Sequence, residues 1–124
     1  RENNMERLTY QEENVMLHVW QLKECAIKDV VDKMEDPKPP YTTVASIFNN
    51  LENKGYLAKK KFGNVKVFRP VISEPSYKRH FLSGVVQSYF DNSYKELVSF
   101  FAKEQKITAD ELEEIIRLIE KNQK

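Results

Sequence analysis

One cysteine, three glycines and one tryptophan occur in 124 residues. A lone Cys25 cannot close an internal disulfide, so no disulfide scaffold holds this chain together. Its expected place is a small residue of the core. Gly55, Gly63 and Gly84 are too scattered for a phosphate-cradling loop. No uncharged stretch reaches the roughly 20 residues a membrane span needs. The opening segment RENNMERLTY is polar and has no apolar signal region. The expectation is a soluble cytoplasmic protein with no membrane partner. The two histidines, His18 and His80, have no Cys or His at ligand spacing, so neither metal nor other cofactor is expected. No Gly-x-Ser-x-Gly elbow is present. Paired carboxylates such as Glu113-Glu114 read as a solvated helix surface. Nothing assembles a nucleophile, a base and an orienting group, and the expectation is that the protein is not an enzyme.

What is present is enough apolar residue, 40%, to build a core, which argues against a disordered or low-complexity chain. The formal net charge is only +1, but it is unevenly placed. Residues 1–37 hold five basic and nine acidic residues, a net −4. Residues 38–69 hold Lys38, Lys54, Lys59, Lys60, Lys61, Lys66 and Arg69 against Glu52 alone, a net +6. Residues 70–124 return to −1. A +6 block in a nearly neutral chain is either a solvated face or a footprint for a polyanion.

Local signals place that block on a definite structure. Thr9 and Glu12 form a capping-box pair, and the spacing behind them predicts a helix from Tyr10 to Lys23. Ile27, Val30, Val31 and Met34 recur at i, i+3, i+4, i+7 and predict a second helix. Three prolines between Asp36 and Pro40 end it. A third helix is predicted from Thr42 to Lys54, with Val44, Ile47, Phe48 and Leu51 inward and Gly55 as its terminator. Two strand-like runs follow, Tyr56 to Phe62 and Val65 to Arg69, joined by the turn pair Gly63-Asn64.

Helix, helix, helix, basic hairpin is the order of a winged helix-turn-helix, the third helix being the recognition helix and the hairpin the wing. The outer face of that third helix is neutral and made of short side chains, which suit close approach to phosphates and base edges. Thr42 and Thr43, at its N-terminus, are candidates for phosphate. Ser46, Asn49 and Asn50 are candidates for base edges. Lys59, Lys60, Lys61 and Lys66 are the wing's phosphate set, although alternation along a strand prevents all four from facing one way. Tyr41 suits either a backbone contact or the core. The expected partner is double-stranded operator DNA.

The remaining residues predict three more helices: one opened by Ser73-Glu74-Pro75 and running to Phe90, one from Tyr94 to Lys103, and one starting at Thr108 with Glu111 as a second capping-box pair. The fold class is therefore mostly α, a winged helix at 1–72 followed by a three-helix region at 73–124. So short a helical region buries little core alone, yet it carries many large apolar side chains. Two copies burying them together is the expected solution, a homodimer through Phe81, Val85, Tyr89, Phe90, Leu97, Phe100, Phe101, Leu112, Ile115, Ile116 and Ile119. Packing against the winged helix within one chain is the alternative. Two other functions stay open: a winged helix used for protein contact, and direct sensing of a small ligand by the aromatic cluster Tyr89, Phe90, Tyr94, Phe100 and Phe101.

Three stretches, LTYQEENVMLHVW, KPPYTTVASIFNNLENKGYL and FDNSYKELVSFFAKEQKITADELEEI, resemble the penicillinase-repressor family in order and spacing, from Leu8 to Glu120. The resemblance implies a dimeric repressor, winged at its N-terminus and dimerised through its C-terminal helices, on a palindromic operator of a β-lactamase or related resistance operon. It also implies a protease partner that cleaves the repressor on induction. Three departures qualify it. The Asn-Phe bond cut in antibiotic-responsive members aligns with Phe100-Phe101. The Arg common before the recognition helix's last Leu is Asn50. The tail IEKNQK lacks the cysteine cluster of the copper-responsive branch.

Overall fold

The computed structural model describes residues 5–123. Residues 1–4 and 124, which carry the start of the polar opening segment and the outer ends of the two expected domains, lie outside the described residues. The elements run α1 (Tyr10–Leu22), α2 (Ile27–Lys33), α3 (Tyr41–Asn53), β1 (Leu57–Phe62), β2 (Val65–Pro70), α4 (Glu74–Tyr89), α5 (Tyr94–Lys103) and α6 (Ala109–Asn122). This is the winged helix-turn-helix followed by three helices that the sequence order predicts.

The terminators act as their chemistry dictates. At the start of α1 the Glu12 N–H donates to Thr9 Oγ1 at 3.1 Å, and the Thr9 N–H donates to Glu12 Oε1 at 2.9 Å. Thr108 and Glu111 repeat the reciprocal pair at α6. At the end of α3 the Gly55 N–H donates to the Glu52 carbonyl and the Tyr56 N–H to the Leu51 carbonyl. That pattern needs a left-handed residue at position 55, and Gly55 supplies it with φ +84°. Leu51 and Tyr56, which the motif brings together, are both fully buried.

The core sits in the first unit. Val15, Met16 and Val19 of α1, Ile27 and Val30 of α2, and Val44, Phe48 and Leu51 of α3 meet Leu57 and Phe68 of the hairpin. Phe48 and Phe68 pack edge to face, 4.8 Å between ring centres. Burying each such ring is worth roughly 2–3 kcal/mol. The hairpin is antiparallel and paired Leu57 with Pro70 through Phe62 with Val65. A third strand is reduced to a single bridge, in which the Cys25 N–H donates to the Phe68 carbonyl at 3.0 Å and the Phe68 N–H to the Cys25 carbonyl at 2.7 Å. Cys25 is buried there. Burial first, and the nearby Asp29 charge second, push its thiol up to about 11, so it stays protonated and inert at neutral pH.

The chain divides into two compact units between His80 and Phe81, within α4. The sequence pattern places the boundary at 72/73, before α4. What draws the start of α4 into the first unit is Tyr77. Its ring packs 5.4 Å from Trp20 and 5.9 Å from Tyr56, and its hydroxyl donates to Glu13 Oε2 at 2.6 Å. The Trp20 Nε1–H donates to the Ile72 carbonyl at 2.9 Å and ties the connecting segment down as well. In the second unit, α5 starts at Ser93, whose Oγ accepts from the Glu96 N–H. Phe100 packs edge to face on both Phe90 and Phe101. No described helix is long and apolar enough to cross a membrane.

Candidate nucleic-acid interface

The polar face of α3 is fully presented. Thr42, Thr43, Ser46, Asn49, Asn50 and Asn53 are all exposed, while Val44, Phe48 and Leu51 on the other side are buried. Among the described residues none of those six side chains has a hydrogen-bond partner. Tyr41, which the sequence left between core and surface, is 54% exposed. Tyr41 and Asn53 thus share the exposed face of Thr42, Thr43, Ser46, Asn49 and Asn50.

The start of α3 differs from the start of every other described helix. Its N-cap is Pro40, which has no side-chain acceptor, and its first turn has no acidic residue. The other five helices each have Asp or Glu in the first turn. The Pro40 carbonyl accepts from the Thr43 and Val44 N–H groups, and the N–H groups of Tyr41 and Thr42 have no acceptor among the described residues. Free N–H groups at the positive end of a helix dipole are suited to an anion.

The structure also sorts the basic block. Lys38 donates to the Met34 carbonyl at 2.6 Å and the Asp32 carbonyl at 3.2 Å, closing the end of α2. Lys54 is bonded to the buried Glu12 at 2.7 Å. Burial raises the Glu12 carboxyl, but the Lys54 hydrogen bond, the Thr9 N–H and the Lys54 charge together outweigh it and hold it below its ordinary value. Lys59 reaches Glu52 of α3 at 3.4 Å, linking helix and hairpin. The cations left without an ion pair among the described residues of this block are Lys60, Lys61, Lys66 and Arg69, and all four lie on the hairpin. Four positive charges of the block are thus gathered on the wing.

Register divides those four. Lys61 and Lys66 are directly opposite each other, on the face whose other pairs include Lys59 with Phe68 and Leu57 with Pro70. Lys60 and Arg69 are on the other face. Like charges directly across a strand pair repel, a cost offset when an anion lies over both. No pairing across elements can be read from the sequence, so Lys54 and Lys59 were not separable there from the free lysines.

The profile of the penicillinase repressor family matches residues 8–121. The chain belongs to that family, one of transcriptional regulators. The methicillin resistance regulatory protein MecI of Staphylococcus aureus strain N315 is 20% identical over 122 residues, covering 94% of this chain and 99% of the relative. MecI of Staphylococcus epidermidis gives the same figures. Among solved structures, a MarR family protein from Bacillus stearothermophilus superposes with a TM-score of 0.49 and 18% identity, over 82% of this chain and 73% of that one. At that score the likeness adds nothing to the geometry above.

In the second unit of this penicillinase repressor family member, α5 and α6 contain no buried residue at all. Phe81, Tyr89, Phe100, Phe101, Ile115, Ile116 and Ile119 of the expected dimer set are exposed. Val85, Phe90, Leu97 and Leu112 are half-buried. Leu118, which is not in that set, is 59% exposed and widens the apolar face of α6. The aromatic cluster named as a ligand-sensing alternative is occupied in part by its own rings, through the Phe90–Phe100–Phe101 contacts.

Proposed function

We propose that the protein is a homodimeric transcriptional repressor that binds a near-palindromic operator. In this reading α3 enters the major groove. Ser46, Asn49 and Asn50 meet base edges, and Thr42, Thr43 and the free N–H groups of the first turn hold a phosphate. Lys61 and Lys66 hold the phosphates beside the groove as point charges, with Lys60 in support and Lys59 braced by Glu52. One observation carries the reading: among the described helices only α3 combines an acid-free N-terminus without a side-chain cap with a neutral exposed face, and it lies next to the hairpin that holds Lys60, Lys61, Lys66 and Arg69.

Dimerisation is supported by the apolar surface that α5 and α6 leave uncovered in a single chain. Two-fold symmetry of the protein then matches two-fold symmetry of the operator, with half-sites one or more helical turns apart. The target proposed is a resistance operon of the kind the family name describes. Release by proteolysis is not proposed, because Phe100-Phe101 stands where the bond cut in antibiotic-responsive members is Asn-Phe.

The test is a fluorescence-anisotropy titration of the duplex upstream of the protein's own operon, against a random duplex of equal length, at two salt concentrations. Tight binding to the first and weak binding to the second is expected. Lys61→Ala with Lys66→Ala should weaken binding to both and reduce the salt slope by about 2, whereas Asn49→Ala should change the preferred sequence. Absence of binding to either duplex would sink the DNA reading and favour protein contact through the wing.

A further inference from the structure

Phe62 and Val65 form the last cross-strand pair before the Gly63-Asn64 turn. They are 56% and 52% exposed. Register puts them on the face of Lys60, Val67, Ala58 and Arg69, away from the core face that holds Leu57 and Phe68. The Lys60 ammonium lies 5.5 Å from the centre of the Phe62 ring, a cation–π contact that restrains the ring. The turn beyond has no bulk: Gly63 sits at φ +63° with open space around it. The hairpin from Leu57 to Pro70 contains no carboxylate.

We propose that Phe62 and Val65 are an apolar wedge that enters the minor groove of bound double-stranded DNA, beside the major groove occupied by α3. The proposal rests on the DNA-binding reading above and adds a contact to it. A protein partner receiving Phe62 would also have to accommodate Lys60, Lys61, Lys66 and Arg69, which form no ion pair among the described residues. A duplex offers both surfaces at once, phosphates along the groove walls and apolar base faces between steps. The minor groove is narrow, about 6 Å wide, so the side chains at the tip of the hairpin are the ones placed to reach its floor. Apolar wedges of this kind partly unstack a base step and bend the duplex. Flexible pyrimidine–purine steps give way most easily, so the wedge confers preference at positions α3 does not touch.

The experiment uses the full chain and duplexes it enriches from random-sequence DNA, with 2-aminopurine placed at successive steps flanking the site. The wild-type protein should raise the fluorescence at one step on each side, the mark of unstacking. Phe62→Ala should abolish that rise and weaken binding about 10-fold with an unchanged salt slope, as expected for loss of an apolar wedge. Phe62→Leu should retain most of both. Lys61→Ala should lower the slope and keep the rise. Phe62 is exposed at a turn, so unchanged circular dichroism and melting are expected of each variant. Equal binding by Phe62→Ala, a rise that persists in it, or a loss accompanied by a reduced slope would overturn the wedge. Failure to enrich any duplex would overturn the DNA-binding reading itself, and the wedge with it.

Discussion

The two units solve the burial of apolar residues in opposite ways. The first closes a core around Val15, Met16, Val19, Val30, Val44, Phe48, Leu51 and Tyr56, all with no accessible surface. The second, from Phe81 onward, fully buries only Val86 among the described residues. Yet the second unit is not short of apolar side chains: Ile115, Ile116, Leu118 and Ile119 share one helix. The difference is in placement. In the first unit helices and hairpin close around a common centre, whereas α5 and α6 have their apolar faces open. A unit with a closed core has its own stability; an apolar face left open in one chain is the surface the proposed dimer would cover.

Substitutions should therefore act differently in the two units, and the largest effect is expected in the first. Phe48→Ala removes a ring from a site with no accessible surface and an edge-to-face partner in Phe68. It should cost about 3–5 kcal/mol, measurable by urea unfolding of the full chain at fixed protein concentration. A loss below about 1 kcal/mol would mean that the core collapses around the gap and is less specifically packed than described. Next, Ile115→Asp with Ile119→Asp puts charge on the open face of α6. Sedimentation should show a monomer, and specific DNA binding should fall about 100-fold through loss of the second half-site. Unfolding of the first unit should be unaffected. A variant that stays dimeric would place the interface elsewhere.

Much of this contrast was legible in the sequence, because its signals are local. Thr9 with Glu12 and Thr108 with Glu111 marked helix starts three residues apart, and Gly55 marked an end. The i, i+3, i+4, i+7 stripes located the inner faces of α2 and α3. The neutral outer face of α3 needed only the residue types at helical spacing. What was not legible depends on partners distant in the chain. Tyr77 reads as one more residue of a C-terminal helix, and only the fold brings it to Glu13, 64 positions away. Lys54 and Lys59 look like wing charges until Glu12 and Glu52 are seen beside them. In the hairpin, Val65-Lys66-Val67-Phe68 is apolar in both phases, so alternation alone leaves its buried side undecided. The bridge to Cys25 and the contact with Phe48 settle it on Phe68.

A smaller effect should come from the ion pair that holds the end of α3 to the start of α1. Glu12 is almost wholly buried, with Lys54 at 2.7 Å. Glu12→Gln keeps the shape and removes the charge, and should cost about 1–3 kcal/mol near neutral pH. The carboxyl is held below its ordinary value near 4.5 in the folded chain. Its contribution is therefore complete above that value and lost as pH falls through the lowered folded one. The stability gap between wild type and Glu12→Gln should close across that acid range, and a gap independent of pH would assign the effect to packing.

The smallest effect should come from Tyr77→Phe, which keeps the ring contacts with Trp20 and Tyr56 and removes only the hydroxyl. Loss of its 2.6 Å hydrogen bond to Glu13 should cost about 1 kcal/mol. Burial first, then the Glu13 hydrogen bond and charge, push the Tyr77 hydroxyl well above its ordinary value of 10.0. The sign is opposite to that of Glu12: the contribution is complete below the ordinary value and lost as pH rises toward the raised folded one. The gap between wild type and Tyr77→Phe should thus be constant through neutral pH and shrink only in alkali, while the Glu12→Gln gap shrinks only in acid. Tyr77 also marks where the first unit ends, so the substitution tests the division itself. If α4 is tied to the first unit through Tyr77, hydrogen exchange should quicken in the first turns of α4 and stay unchanged in α5 and α6. Quickening throughout α4, α5 and α6 would mean that the two units unfold as one.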